Sequence, residues 1–234
     1  MAVDPQFEAR LSQFIDRQFP GSSVGAVDQL TSGASQQTFR VRTRSRDGVQ
    51  RDYALRRAQP GLVASSQGQL STSAEVALLR LAQSASVPVP NVICELEPRH
   101  DLGEGYLMEW LEGETLGHRI VKLPELAEMR ATLAYECGQT LAKIHALPVP
   151  HSLRRVLPCV SPEVLVRETW DAYIALNTPQ PMIDFTAQWL LSHLPTTVTQ
   201  CLVHGDFRNG NLMVSKTGIR AVLDWELCHM GDPM

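Results

Sequence analysis

Phe7, Leu11, Phe14 and Ile15 recur at helical spacing between an Asp4-Pro5 start and a Pro20-Gly21 stop. An N-cap acid followed by proline at the first helical position predicts an amphipathic helix there. From Val24 to Arg57 the period shortens: Phe39 and Val41 alternate with polar neighbours between Thr38 and Thr43, Asp47-Gly48 marks a turn, and Tyr53-Ala54-Leu55 follows. These are strands joined by hairpins. Ser71 or Ser73 then caps a helix carrying Val76, Leu78, Leu79 and Leu81, which Val87-Pro88-Val89-Pro90 ends before a strand at Val92 to Leu96. Gly105-Tyr106-Leu107-Met108 adds a strand running into Glu112-Gly113, so the first 110 residues read as mostly antiparallel sheet with one inserted helix.

Beyond that point the pattern turns helical. A run from Pro124 to Leu147 holds Leu133, Cys137, Leu141 and Ile144 on one face, and two more helices are expected at Pro162 to Leu176 and Pro181 to Leu194. Three short strands close the chain: Leu202-Val203, Leu212 to Val214 and Ile219 to Leu223, the last two joined by Lys216-Thr217-Gly218. The change of texture near Glu109 to Gly117 divides the chain into 1–109 and 110–234, with no internal repeat and no low-complexity tract. With 234 residues, 44% hydrophobic and 20% charged, the chain is long and apolar enough to bury a core.

The formal net charge is -4 with Lys and Arg scattered, which leaves no footprint for nucleic acid. No stretch approaches the ~18 apolar residues of a membrane span, and MAVDPQFEAR has acidic residues where a secretory signal is basic, so the chain reads as cytoplasmic with no membrane partner. Cys94, Cys137, Cys159, Cys201 and Cys228 are odd in number and far apart, a pattern of reduced thiols without a disulfide framework or zinc finger. Oligomeric state is left open.

Chemistry concentrates near the end. His204-Gly205-Asp206-Phe207-Arg208-Asn209-Gly210-Asn211 lies between apolar strands, and Asp224-Trp225-Glu226 follows the next hairpin, which can bring Asp224 back beside Asp206 and Asn211. Carboxylate and amide oxygens are hard ligands suited to a Mg²⁺ that completes its shell with water and nucleotide phosphates. The spacing also matches the protein-kinase catalytic loop: an Asp that positions the acceptor hydroxyl, an Asn five residues later, and a metal-binding Asp one strand on. A metallohydrolase built on His204, Asp206 and Asp224 is the rival chemistry, but His229, His193 and His151 offer no ligand-like pairing to support it.

With those residues in place, the chain resembles the aminoglycoside phosphotransferase and choline kinase family, and most closely the branch found beside acyl-CoA dehydrogenases. The resemblance implies an α+β, protein-kinase-like, two-lobe fold: an antiparallel-sheet N-terminal lobe that binds nucleotide and a mainly helical C-terminal lobe. It implies Asp206 as the catalytic base, Asn211 and Asp224 as Mg²⁺ ligands and His204 as a brace beneath the loop. ATP is the implied phosphoryl donor, with GTP left open, and the acceptor is a hydroxyl of a small molecule, by the acyl-CoA connection a hydroxyacyl compound before an aminoglycoside. A nucleotide-binding pseudokinase or scaffold is the alternative from another class.

The same resemblance asks for three features upstream. Ser32-Gly33-Ala34-Ser35 stands where a hairpin would cover the phosphates, though its single glycine equally suits an ordinary turn. Tyr53-Ala54-Leu55-Arg56 stands where the family pattern carries a lysine, so Arg56 takes the phosphate-reaching position, with Glu75 as its helix partner. Strand alternation turns the neighbouring Arg57 to the opposite face. Glu109, Trp110 and Leu111 stand at the hinge whose backbone would meet the adenine edge. Met234 comes only ten residues after Asp224, so by this resemblance the helical lobe is truncated, and an apolar patch is expected over Pro124 to Leu147 and the final strands.

Overall fold

Alternation in the first half and helical periodicity in the second lay out the chain as anticipated. The computed structural model describes residues 4–30, 36–59, 70–197 and 199–233. The elements run α1 (Pro5–Gln18), β1 (Ser23–Gln29), β2 (Gln36–Arg44), β3 (Gln50–Ala58), α2 (Thr72–Ser84), β4 (Val92–Glu95), β5 (Gly105–Glu109) and α3 (Gly117–Lys122). They continue with α4 (Ala127–His145), α5 (His151–Arg154), α6 (Pro162–Ala175), α7 (Pro181–Ser192), β6 (Cys201–Val203), β7 (Leu212–Ser215), β8 (Gly218–Val222) and β9 (His229–Gly231).

The first five strands form one antiparallel sheet in the order β1-β2-β3-β5-β4. The β2–β3 hairpin runs in continuous register from Gln36↔Ala58 to Arg44↔Gln50. Its tight end contains Gly48 at φ 80, a left-handed conformation that glycine adopts without a Cβ penalty. Period-two alternation then sorts the side chains. Phe39, Val41, Tyr53, Leu55 and Leu107 face α1 and pack on Phe7, Leu11, Phe14 and Ile15, while Thr38, Ala54, Arg56 and Met108 face an inter-lobe cleft. Arg57 takes the α1 side, its guanidinium 4.0 Å from the Phe7 ring centroid.

Ser71 caps α2 by accepting from the Ala74 N–H at 3.3 Å, which decides between the two candidate serines. The buried face of α2, with Val76, Leu78, Leu79 and Ala82, joins Tyr106 of β5 to Ile144 of α4, Leu202 of β6, Leu212 of β7, Val222 of β8 and Trp225 in one apolar cluster. At about 1.5–3 kcal/mol for each large aliphatic side chain taken from water, this shared core ties the sheet half to the helical half.

Three short elements escape the periodicity reading. α3 buries only Ile120 and α5 only Leu153, too little apolar signal to register as a period. β9 has three residues and is recognisable only through its antiparallel pairing to β6, Cys201↔Gly231 to Val203↔His229. The apolar patch is expected over α4 and the final strands; on α4 Tyr135 is 71% exposed and Leu133, Cys137 and Leu141 are only half-buried. The final strands are closed, with Leu212, Val222 and Met230 buried, whereas α6 has no buried residue and Leu176, Met182 and Phe185 on or beside α6 and α7 are 69%, 70% and 62% exposed. Among the described residues no helix is long and apolar enough to cross a membrane.

Candidate active site

The loop between β6 and β7 is held from beneath. His204 is buried, with Nε2 3.1 Å from the Leu223 carbonyl and Nδ1 accepting from the Asp206 N–H at 3.3 Å. An Nδ1 that accepts carries no proton, so the ring is the neutral tautomer and donates through Nε2. Burial pushes the His204 pKa below its ordinary value, with the Leu223 hydrogen bond and the charges of Asp224 and Asp206 pulling the other way. Leu223 N–H in turn donates to the Asn211 carbonyl at 2.8 Å, so the loop and the end of β8 are stitched together twice. Gly205 sits at φ +83, and a Cβ there would lie 2.4 Å from the Leu227 carbonyl oxygen. Only glycine lets the chain pass.

That brace positions the polar trio. Asn211 Nδ2 donates to the Asp206 backbone oxygen at 3.0 Å and to its Oδ2 at 2.7 Å. Both being acceptors, they fix the amide orientation and leave the Asn211 Oδ1 for a cation or donor. Asp224 adopts φ +64, a left-handed backbone uncommon outside glycine. Arg208 Nε donates to the other Asp206 oxygen, Oδ1, at 2.8 Å; this partner was not singled out from the sequence.

Arg56 lies across the cleft from this loop at the centre of an acidic ring. Its Nη2 is 2.5 Å from Asp224 Oδ1 and 3.6 Å from Glu226 Oε2, and its Nε is 2.5 Å from Gln36 Oε1 and 3.5 Å from Glu75 Oε1. The pairing with Glu75 anticipated from the sequence is present, but the shorter contact is to Asp224. Burial works to lower the Arg56 pKa, yet Glu75, Tyr106 and Asp224 together outweigh it, and the guanidinium stays charged. Burial raises the Glu75 pKa, and Arg56 with the hydrogen bonds from Tyr106 and Gln36 offsets part of that rise. Tyr106 donates its hydroxyl to Glu75 at 3.0 Å. Gln36 and Tyr106 were invisible as site residues because an uncharged residue on an alternating strand carries no functional signature.

The cleft has a volume of about 390 Å³ and is walled by Ala54 and Arg56 of β3, Met108 to Gly113 of the connecting segment, and Asn211, Leu223 and Asp224 of the loop side. Glu109, Trp110 and Leu111 all line it. Within the hinge, however, the Glu109 N–H already donates to the Asn91 carbonyl at 2.9 Å, and its Oε1 accepts from the Asn91 N–H at 2.8 Å. The Glu109 contribution to a ligand edge is therefore restricted to its carbonyl. Trp110 is held by its indole N–H on Glu112 at 2.7 Å, with Arg40 4.4 Å above the ring. Ser32, Gly33, Ala34 and Ser35 lie outside the described residues.

Among the described residues no three His, Cys, Asp or Glu side chains are arranged to hold a metal, and both ring nitrogens of His204 are already engaged, by the Leu223 carbonyl and the Asp206 N–H. His193 instead stacks on Trp189. The donor set does fit a Mg²⁺ that arrives with phosphates: one carboxylate at Asp224 and one amide oxygen at Asn211, hard ligands that leave the remaining positions to nucleotide oxygens and water.

A five-stranded antiparallel sheet and a helical half joined over a cleft, lined by Asn211 and Asp224 with Asp206 hydrogen-bonded behind Asn211, define a kinase-like α+β fold. The family model described as the phosphotransferase enzyme family matches residues 26–234, and the chain belongs to that family. It is 32% identical over 223 residues to acyl-CoA dehydrogenase family member 10 of Mus musculus, covering 90% of this chain and 20% of that protein. Among solved structures it is similar to a Ralstonia eutropha protein assigned to the aminoglycoside phosphotransferases, with TM-score 0.70 at 23% identity over 96% of this chain and 66% of the other. It is also similar to the ADP-bound aminoglycoside phosphotransferase APH(2'')-Ib, with TM-score 0.65 at 19% identity over 99% of this chain and 73% of the other. The chain spans 20% of the first curated relative's length.

Proposed function

We propose that the protein transfers the γ-phosphoryl group of a nucleoside triphosphate, ATP before GTP, to a hydroxyl of a small molecule. The observation that carries this reading is the stitched loop itself: Asp206 and Asn211 in mutual hydrogen bond, with Asp224 brought to the same cleft by the β7–β8 hairpin. In the proposed step the acceptor oxygen forms a bond to the γ-phosphorus. The bond to the β,γ-bridging oxygen breaks with its electron pair leaving on the nucleoside diphosphate, and the hydroxyl proton passes to Asp206. Asn211 and Asp224 would hold Mg²⁺, which when bound neutralises phosphate charge. Arg56 supplies a fixed positive charge at the phosphate end of the cleft, and Glu75 with Gln36 aims it.

The base would sit in a pocket open to a hydroxyl, and no nucleophilic Ser or Cys is needed because phosphoryl transfer depends on positioning and charge stabilisation. The Glu109 carbonyl and the Leu111 N–H are the backbone groups proposed to meet the adenine edge. The acyl-CoA dehydrogenase relative turns the choice of acceptor toward a hydroxyacyl compound. A screen of hydroxyl compounds for nucleoside diphosphate release in the presence of Mg²⁺ and ATP tests the reading. Release that depends on one acceptor class supports it; tight Mg²⁺-ATP binding with no release on any hydroxyl would favour the scaffold alternative.

A further inference from the structure

We propose that Arg208 is an acceptor-binding residue, whose guanidinium on the outer side of Asp206 selects hydroxyl substrates that also carry a carboxylate or phosphate group. The inference rests on the phosphotransferase reading above and names its substrate class.

The Asp206 carboxylate is two-sided. Oδ2 faces the Asn211 amide at 2.7 Å and Oδ1 faces the Arg208 Nε at 2.8 Å. Asn211 and Asp224 line the inter-lobe cleft, whereas neither Asp206 nor Arg208 does. Asn211 therefore marks the phosphate side of the base, and Arg208 stands on the other side, where the acceptor must approach.

Its seat is built into the loop. Arg208 Nη1 donates to the Asn209 carbonyl at 3.1 Å. Gly210, at φ +103, leaves the space in which a Cβ would come within 3.0 Å of that same Nη1. The side chain is nevertheless 64% exposed, and Nη2 has no partner among the described residues. A guanidinium anchored by Nε and Nη1 and open at Nη2 is organised to meet an anion, and its planar fork matches carboxylate and phosphate oxygens alike. A polycationic acceptor would meet like charge at the same place. Arg208 takes part in no bond change; the acceptor oxygen still loses its proton to Asp206 as it bonds to the γ-phosphorus.

The test uses matched acceptors on the full chain with Mg²⁺ and ATP: 3-hydroxybutyrate against 3-hydroxybutyramide, glycerol 3-phosphate against glycerol, and gentamicin. The anionic member of one pair should have a KM about ten-fold or more below its neutral partner, the scale of a charge-assisted hydrogen bond. Arg208→Gln should collapse that ratio toward one, and Arg208→Lys should restore part of it. Whichever pair shows the effect identifies the carboxylate or the phosphate as the recognised group. An unchanged KM ratio in Arg208→Gln, or a preference for gentamicin, would overturn the proposal. Calorimetric titration of 3-hydroxybutyrate and glycerol 3-phosphate into the Mg²⁺-ADP-loaded protein reads the same contact without turnover. Anion binding lost in Arg208→Gln supports the role; no binding to the wild-type protein, or equal binding to both, contradicts it. Anion binding through Arg208 with no phosphoryl transfer to any acceptor would count against the phosphotransferase reading alone.

Discussion

Arg56 Nη2 and Asp224 Oδ1 stand 2.5 Å apart although 168 residues separate them in the chain. The contact joins β3 of the sheet half to the end of β8 in the helical half, through the cleft where the nucleotide is proposed to bind. Glu75 and Glu226 flank the same guanidinium at 3.5 and 3.6 Å, so the cation is shared by three carboxylates. Removing the shared cation uncovers all three acids at once.

Arg56→Ala should therefore destabilise strongly, because Glu75 is almost wholly buried and would lose its cation. Breaking a buried pair from one side costs about 3–5 kcal/mol, or a fall in Tm of roughly 6–20 °C at ~2–4 °C per kcal/mol for a chain of this size. Arg56→Lys keeps the charge but not the two-sided grip on Gln36 and Asp224, so its Tm should fall between the other two. Equal Tm values for Arg56→Ala and the wild type would contradict the arrangement.

His204 makes stability fall with acid. Its folded pKa lies below the ordinary 6.5, so below that pH the unfolded chain takes up a proton that the folded ring refuses. Stability then declines as pH drops from about 6.5 toward the depressed folded value and is flat beyond it. His204→Gln should be less stable near neutrality and should lose that part of the decline. Parallel pH profiles of Tm for the two proteins would show that the ring does not titrate as described.

Gly205→Ala places a Cβ against the Leu227 carbonyl and forces alanine into a left-handed backbone. The conformational part alone is worth about 1–2 kcal/mol, and the clash adds to it. Chemical denaturation should show a lower midpoint together with weakened activity, since the displaced residue directly precedes Asp206. A variant as stable as the parent would mean that the loop can relax away from Leu227.

Most of the candidate site was legible because each candidate residue stands beside a structural marker. Asp206, Asn211 and Asp224 lie at the ends of short apolar strands, and the hairpin between them has a recognisable turn. Arg56 is placed by the family pattern, and alternation puts Arg57 on the opposite face, where the structure turns it onto Phe7. What stayed hidden is non-local. Gln36 reaches Arg56 through cross-strand neighbours on the cleft face, Tyr106 acts through Glu75, and the Glu109 N–H is committed to Asn91 by a strand pairing that no local pattern announces. The apolar face anticipated on the final strands is covered, and a further one lies on α6 and α7, because periodicity reports which residues want cover, not which neighbours supply it. β6, β8 and β9 bury Leu202, Ala221, Val222 and Met230, while α6 buries none.

Asp224→Ala should remove Mg²⁺-dependent nucleotide binding, because it deletes the charged oxygen ligand of the proposed pair and also releases Arg56. Titration of ATP with and without Mg²⁺ reads this directly. Unchanged Mg²⁺-ATP affinity would remove Asp224 from the metal role.

The central claim is that Asp206 takes the proton of an acceptor hydroxyl, and the most direct measurement compares transfer rate with nucleotide affinity in Asp206→Asn. The asparagine keeps the shape but only one acceptor oxygen, so it holds one of the two donors, Arg208 Nε or Asn211 Nδ2, and cannot serve as a base. With an acceptor that the wild-type protein phosphorylates, kcat should fall by about 10²–10⁴-fold, the usual worth of general base catalysis, while the Kd for Mg²⁺-ATP changes by less than about three-fold, under ~1 kcal/mol. An Asp206→Asn protein that retains full kcat would contradict the account at its centre.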